Sequence, residues 1–117
     1  MEFIIHERDG SRIAELLGNA TIVASAGDAL DLLAEAGTRN IVLKREHLAP
    51  DFFRLGTGLA GEILQKFSNY RVRCAIIGDF SQVRSPALHD FILESNETGE
   101  IVFVADIDTA LALLSKG

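Results

Sequence analysis

Acidic and hydroxyl side chains follow two of the predicted strands, and they are the first candidates for chemistry in this chain. Glu46 and Asp51 come after the third predicted strand, and Asp79 and Ser81 come after the fourth. In a parallel sheet, the loops that leave the carboxyl ends of the strands surround the usual ligand-binding crevice. Together with Asp106 after the fifth strand, these side chains could therefore converge as a polar rim that binds a ligand, and Asp106 could equally be only a helix cap. The structural alternative, which we favour, is that Asp79 accepts hydrogen bonds from backbone N–H groups in its own turn.

Histidine and cysteine give no catalytic or metal-binding pattern. His6, His47 and His89 lack the i,i+4 spacing of metal ligands on a helix, so we expect surface or structural roles for them. The single cysteine, Cys74, lies in an apolar segment, where burial makes a thiol a poor nucleophile. Because no acid–base–nucleophile set is visible, we predict no catalytic residue, no metal ion and no cofactor.

A glycine-rich turn, residues 56–61, precedes the central predicted helix. Gly56, Gly58 and Gly61 have the spacing of the dinucleotide-binding pattern, but that pattern needs a strand leading directly into the turn. Thr57 lies between two of these glycines, where its hydroxyl can accept a hydrogen bond from a nearby backbone N–H as an N-cap. The same N–H groups and the helix dipole would also favour an anion or a phosphate. Both interpretations, a cap and a regulatory site, stay open.

The elements that would position these residues alternate between strands and helices. The predicted strands cover residues 3–5, 12–17, 41–43, 72–77 and 101–104. Four helices are predicted. The first follows Ser25 and ends at Gly37, and the second carries an apolar stripe from Leu59 to Phe67. The third runs from Ser85-Pro86 to about residues 94–99, and the fourth follows Asp106. An Asp-Gly turn at residues 9–10 predicts that the first two strands form a β-hairpin. The segment 21–23 is ambiguous between a strand and the approach to a helix.

This order, β-β-α-β-α-β-α-β-α, predicts a single α/β domain over residues 1–117. We expect a mixed, mostly parallel five-stranded sheet with about four helices. The strands at 41–43, 72–77 and 101–104 should be parallel and interior, because short apolar runs are typical of strands that helices cover on both faces. The helix residues expected to pack on the sheet are Leu59, Ile63, Phe67, Leu88, Ile92 and Leu111.

The longest irregular segment, residues 44–56, contains two adjacent aromatic side chains. Pro50 favours one helical turn, and Phe52 and Phe53 follow it. We expect one ring to be buried beneath the loop and the other to lie near the surface, where it would mark a partner-binding patch. The candidate binding or regulatory residues of the whole chain are Glu46, Asp51, Phe52, Phe53, Arg54, Thr57, Gly58, Asp79 and Ser81.

Charge is distributed unevenly along the chain. The formal net charge is −6, which argues against general binding of nucleic acid. Residues 39–84 nevertheless carry eight lysines and arginines against four acidic residues, whereas both flanking segments are acidic. The simplest interpretation is solvated surface charge. The alternative is a local positive field that attracts an anion or an acidic partner.

The element order and residues 55–61, Leu-Gly-Thr-Gly-Leu-Ala-Gly, resemble the STAS domains of anti-sigma-factor antagonists. That family carries an acidic residue, two hydroxyl residues, Gly, Leu and Gly at the start of its second helix, and the hydroxyl before the glycine is its phosphorylation site. The matching hydroxyl here is Thr57, before Gly58. The chain departs from the family at Gly56, where a hydroxyl residue would stand, and at Leu55, where an acid would stand. The resemblance implies a STAS-like fold and a regulatory module.

A closer resemblance covers nearly the whole chain. The segments 50–53, 60–67, 69–71, 78–81 and 94–96 are similar to a bacterial family known as domain of unknown function 4180. Membership of that family confers no activity, so the function has to be argued from the residues themselves.

Two function hypotheses follow. The favoured one is a non-catalytic STAS-like regulatory or protein-interaction module that acts near residues 56–60. The alternative is a small-ligand-binding protein or an enzyme that uses Glu46, Asp51, Asp79 and Ser81. We expect a protein partner, with a homodimer kept open, and we expect no binding to nucleic acid or membrane. A cytoplasmic location is predicted, because neither a signal peptide nor a membrane-spanning segment is visible.

Overall fold

Five strands form one mixed sheet in the computed structural model, which describes residues 1–115. The strands are β1 (Phe3–Arg8), β2 (Ser11–Leu16), β3 (Asn40–Lys44), β4 (Arg73–Ile77) and β5 (Ile101–Val104). The helices are α1 (Ala26–Ala36), α2 (Leu59–Asn69), α3 (Pro86–Thr98) and α4 (Ile107–Leu114). The predicted α/β class and element order are confirmed. Within the described residues, none of these helices is both long and apolar enough to cross a membrane.

β1 and β2 form the predicted antiparallel hairpin. Arg8 and Ser11 pair across a two-residue turn, and φ is 51° at Asp9 and 80° at Gly10. Positive φ at both positions defines a type I′ turn, whose twist matches that of the flanking strands. The hairpin is longer than predicted, because β1 continues through Arg8.

The strands lie in the sheet in their order along the chain, and β2 to β5 are parallel neighbours. Because successive right-handed crossovers advance the sheet in one direction, they place α1, α2 and α3 on one face, and α4 covers the other. One prediction is wrong: residues 101–104 form an edge strand rather than an interior one. All four residues of β5 are nevertheless buried, because α3 and α4 both pack against this strand.

Side chains of the parallel strands alternate between two hydrophobic cores. Leu43 and Ile76 point into the larger core under α1, α2 and α3, whereas Val42 and Ala75 point into the smaller core under α4. The helix residues predicted to pack on the sheet are confirmed: Ile63, Phe67, Leu88 and Leu111 are buried, and Leu59 and Ile92 are partly buried.

The predicted polar caps begin α1, α3 and α4. Ser25 and Ser85 each accept a hydrogen bond from a backbone N–H in the first turn, at 3.1 and 3.3 Å. Asp106 Oδ1 accepts the Thr109 backbone N–H at 2.7 Å, and this bond lowers the pKa of Asp106. α1 ends at Gly37, whose φ of 68° is left-handed, as expected for a glycine cap.

Ile76 provides a test of the larger core. Its side chain is 1% exposed, so Ile76→Ala should lower the free energy of unfolding by about 2–5 kcal/mol through lost burial and a residual cavity. Leu93→Ala is a matched control, because Leu93 is 50% exposed on α3 and its truncation should cost less than about 1 kcal/mol. Urea denaturation measures both values. Equal losses in the two variants would contradict the packing described.

Candidate functional site

The carboxyl ends of β3, β4 and β5 lie side by side, and the loops that leave them build the candidate site. The Gly78 N–H donates to the Val104 carbonyl at 3.0 Å, which holds the end of β4 against the end of β5. The segment after β3 contains three 3₁₀ turns, Arg45–His47, Pro50–Phe53 and Leu55–Thr57. The site is therefore made of short turns fixed to rigid strand ends.

His47 anchors the first of these turns. Its side chain is fully buried, and Nδ1 accepts the Lys44 backbone N–H at 2.9 Å. The Nε2 atom therefore carries the hydrogen and donates to the Gly18 carbonyl at 2.8 Å. These two bonds join the loop after β2 to the loop after β3. The expectation of a structural role is confirmed for His47.

The ambiguous segment 21–23 belongs to the same anchor. Ile22 and Val23 both donate their backbone N–H groups to the His47 carbonyl at 2.9 Å. Val23 makes an isolated parallel bridge to Leu48 rather than a strand. The segment therefore fixes the loop after β3 from one side, and α1 begins shortly after it.

The two adjacent phenylalanines take different positions, as the sequence predicted. Phe52 is 1% exposed in the larger core, whereas Phe53 is partly buried and packs on it edge to face at 5.0 Å between ring centroids. The Phe53 ring also lies 6.2 Å from the ring of Phe80. Phe80 in turn packs edge to face on Phe103 at 5.2 Å. The surface ring is thus connected to the core through continuous aromatic contacts.

Arg45 lies over this aromatic surface, and sequence reasoning missed it. Its guanidinium carbon is 5.2 Å from the Phe53 centroid and 5.4 Å from the Phe80 centroid. The Nη1 atom donates to the Asp79 carbonyl at 3.0 Å. Cation–π attraction and one hydrogen bond therefore hold an exposed positive charge in a fixed position.

Gly78 explains how the Phe80 ring reaches this position. A Cβ atom at Gly78 would lie 3.0 Å from Phe80 Cζ and 3.1 Å from Arg45 Cβ. Both distances are shorter than ordinary carbon–carbon contacts. The absence of a side chain at this residue therefore lets the ring and the arginine stem pack on the end of β4.

Asp79 and Ser81 form a turn of their own. Asp79 Oδ1 accepts the Ser81 hydroxyl at 2.6 Å and the Ser81 backbone N–H at 3.0 Å. The hydroxyl bond, then the N–H bond, lower the pKa of Asp79, and the charge of Arg45 adds a smaller effect in the same direction. The carboxylate is therefore ionised at neutral pH and committed to its turn. This geometry supports the structural interpretation of Asp79 over a catalytic one.

The carboxylates of the predicted rim have different surroundings. Glu46 lines one depression and Asp79 lines another, whereas Asp51 Oδ1 pairs with Arg54 Nη1 at 3.3 Å. Within residues 1–115, no group of three acidic, histidine or cysteine side chains could hold a metal ion. Burial also raises the pKa of the Cys74 thiol to about 12, so it is protonated at neutral pH.

Thr57 is exposed and accepts a backbone N–H of the first turn of α2 as predicted, but it is not the N-cap residue of that helix. Its Oγ1 lies 2.8 Å from the Asp51 carbonyl and 2.9 Å from the Arg54 carbonyl, and it accepts the Leu59 N–H at 3.3 Å. The N-cap position of α2 belongs to Gly58, whose φ of 80° is left-handed. Thr57 therefore closes the 3₁₀ turn just before the helix and contacts the helix through a single long bond.

Open depressions surround these residues. One of about 380 Å³ is lined by Thr21, Arg45, Glu46, Leu48, Pro50 and Phe53. A second of about 310 Å³ is lined by Asp79, Phe80 and Ser81 and by the end of β5. A third of about 550 Å³ lies between the starts of α1 and α2, beside Gly58. The end of the sheet is thus a broad surface rather than one deep cavity.

The molecule is an α/β domain with an open sheet, in which an arginine–aromatic cluster covers the carboxyl ends of the parallel strands. The chain belongs to the family described as Domain of unknown function (DUF4180), whose model matches residues 8–114. The predicted family is confirmed. Among curated proteins and among solved structures, no significant match to this chain is found.

Gly78→Ala tests the packing of the cluster. The added methyl group must displace the Phe80 ring or the Arg45 stem, so we expect a loss of about 1–3 kcal/mol in the free energy of unfolding. Gly61→Ala is the matched control, because open space surrounds Gly61 and alanine favours a helix by up to about 1 kcal/mol. Thermal or urea unfolding distinguishes the variants. A Gly78→Ala protein as stable as Gly61→Ala would show that the Phe80 ring does not pack on β4 in this way.

Proposed function

We propose that this domain is a non-catalytic protein-interaction module with a regulatory role, and that it binds an acidic partner through the Arg45 surface. This surface consists of Arg45, Phe53, Arg54, Thr57 and Phe80. The observation that carries the proposal is the exposed Arg45 guanidinium, fixed over two aromatic rings. Arginine and aromatic side chains are enriched at the energetic centres of protein interfaces.

The bonding of Arg45 favours a carboxylate or phosphate as the group it recognises. Nη1 donates to the Asp79 carbonyl, and the other N–H groups of the guanidinium have no hydrogen-bond partner within residues 1–115. A guanidinium binds planar anionic groups with paired hydrogen bonds, and its fixed position lowers the entropy lost on binding. The excess of basic residues in the segment 39–84 would attract acidic partners over a longer range.

The regulatory part of the proposal concerns Thr57, the residue that matches the phosphorylated hydroxyl of STAS domains. The Thr57 hydroxyl is exposed and lies beside Arg54, whose carbonyl accepts the Thr57 N–H at 3.0 Å. A phosphate on this hydroxyl would remove its donor to the Asp51 or Arg54 carbonyl and would add negative charge to a basic surface. Phosphorylation would therefore weaken the binding of an acidic partner. A cytoplasmic location is part of the same proposal.

The alternative, a ligand-binding protein or an enzyme that uses the carboxylates, has less support. Asp79 is committed to Ser81, and Asp51 is paired with Arg54. Glu46 is exposed on a depression that it shares with Arg45 and Phe53. Glu46 therefore contributes to the border of the Arg45 surface rather than to an acid–base pair.

A peptide selection tests the binding proposal. A displayed library of random peptides is selected on the immobilised full chain, and the dissociation constant of the best peptide is measured at two salt concentrations. We expect acidic peptides whose binding weakens with salt, and Arg45→Ala should weaken binding by at least about tenfold. Arg39→Ala is the matched control, because Arg39 is an exposed arginine at the opposite end of β3. Selection of peptides that are not acidic, or equal effects of the two variants, would contradict the proposal.

The same peptide tests the regulatory role of Thr57. Thr57→Asp should weaken binding by about tenfold through charge repulsion, whereas Thr57→Ser keeps the hydroxyl and should change binding by less than about twofold. The free energy of unfolding is measured for both variants. If Thr57→Asp lowers stability by about 1 kcal/mol and leaves affinity unchanged, Thr57 only closes its turn and the regulatory role is wrong.

A further inference from the structure

The two edges of the sheet differ in how their outward backbone groups are satisfied. In β5, the Val104 carbonyl faces β4, so the N–H and C=O groups of Phe103 point away from the sheet. The side-chain amide of Asn96 occupies that position. Its Oδ1 accepts the Phe103 N–H at 2.7 Å, and its Nδ2 donates to the Phe103 carbonyl at 3.4 Å. This amide takes the place of a neighbouring strand at Phe103 and occupies the β5 edge at that residue.

Among the described residues, no side-chain amide takes this position at the β1 edge. The Leu17 N–H donates to the Glu2 carbonyl at 2.9 Å, so the backbone groups of the even-numbered residues of β1 face β2. The backbone groups of Phe3, Ile5 and Glu7 therefore point outward. Within residues 1–115, β1 pairs with β2 alone. These outward N–H and C=O groups are therefore open to a further strand.

The side chains of β1 also resemble those of a pairing strand. Ile4 is 44% exposed and Ile5 is 42% exposed, on opposite faces of the sheet. The six residues of β1 contain no proline, bulge or lysine, three features that protect exposed edges, and its charged residues Glu7 and Arg8 lie at its end. A long open edge with apolar side chains is expected to pair with another strand.

We propose that two copies of the chain form a homodimer by antiparallel pairing of their β1 strands, with the twofold axis at Ile5. Outward-facing residues must lie opposite each other, so odd-numbered residues pair with odd-numbered residues. Centring on Ile5 places Phe3 opposite Glu7 of the second copy. The arrangement provides about six backbone hydrogen bonds between the copies and makes one continuous sheet.

Charge complementarity selects this register. Centring on Ile5 places Glu2 opposite Arg8 of the second copy, and the symmetry repeats the pair. Glu2 and Arg8 are both exposed, and neither side chain forms an ion pair within residues 1–115. Shifting the axis to Ile4 or to His6 shortens the overlap and removes both ion pairs. The β1 strand of a second copy therefore matches this edge in its backbone hydrogen-bonding pattern, its apolar side chains and its charge.

β1 and the Arg45 surface lie in different parts of the sheet, so a dimer through β1 is independent of the proposed function. β1 is the edge strand, whereas Arg45 follows β3, with β2 between them. Pairing through β1 would leave both Arg45 surfaces accessible. The dimer would then present two binding surfaces to a multivalent partner.

Sedimentation velocity of the full chain over a concentration series tests the dimer. We expect reversible dimerisation with a dissociation constant of roughly 10–100 µM, since the interface is small. Ile5→Pro should abolish the dimer and leave the monomer folded, because proline removes only an outward N–H. A wild-type protein that stays monomeric to about 0.5 mM, or an Ile5→Pro protein that still dimerises, would overturn the proposal.

A charge-swap cycle tests the register. Glu2→Arg and Arg8→Glu should each weaken the dimer by about tenfold, because each variant places like charges opposite each other twice. The double variant restores both pairs and should return to within about threefold of the wild type. A double variant as weak as the single variants would exclude the register centred on Ile5. Amide hydrogen exchange gives a second measurement, in which Ile5 and Glu7 should be protected at high protein concentration only.

Discussion

The packing of Phe80 on Gly78 and Arg45 is the contact on which the candidate site depends. It requires the absence of a side chain at Gly78, and it places the ring within reach of both Phe53 and Phe103. Arg45 then lies over two rings and is bonded to the Asp79 carbonyl, so a flexible side chain has a defined position. The contact therefore gives the end of the sheet an ordered surface with a positive charge.

The rest of the fold supports this contact from below and from the side. The aromatic contacts continue from Phe80 through Phe103 to Phe91 on α3, which connects the surface to the larger core. His47 fixes the start of the loop after β3 by bonding the backbone at Lys44 and Gly18. The site therefore rests on three strand ends and a buried histidine. Such rigid support is what a preorganised binding surface needs.

Sequence reasoning predicts the elements well, because hydrophobic period, caps and turn residues are local signals. The Asp9-Gly10 turn, the caps at Ser25, Ser85 and Asp106, and the buried strands were all found in this way. The edge position of β5 was not predicted, because the order of strands in a sheet is not a local property. Thr57 was placed one residue wrong as a cap, because a left-handed glycine occupies the N-cap position.

The candidate site was predicted in part. Phe53, Arg54 and Thr57 stood out as aromatic, basic or hydroxyl residues in an irregular segment. Arg45 and Phe80 were not recognised as site residues, because their contact joins residues that are distant in sequence and leaves no periodic signal. Asn96 was missed for the same reason: it looked like part of a helix exit, whereas its amide bonds the outward backbone groups of Phe103 at the β5 edge. Contacts between distant residues need the folded structure.

The central claim is that an acidic partner binds where Arg45 lies. The most direct measurement is a titration of the isotope-labelled domain with a selected acidic peptide, followed by nuclear magnetic resonance. We predict that the largest shifts occur at the backbone of Arg45, Phe53 and Phe80 and at the Arg45 side-chain N–H, and that they saturate together. Shifts confined to β1, or to the groove that Leu33, Gly37, Arg39 and Tyr70 line between the ends of α1 and α2, with no change at Arg45, would contradict the account.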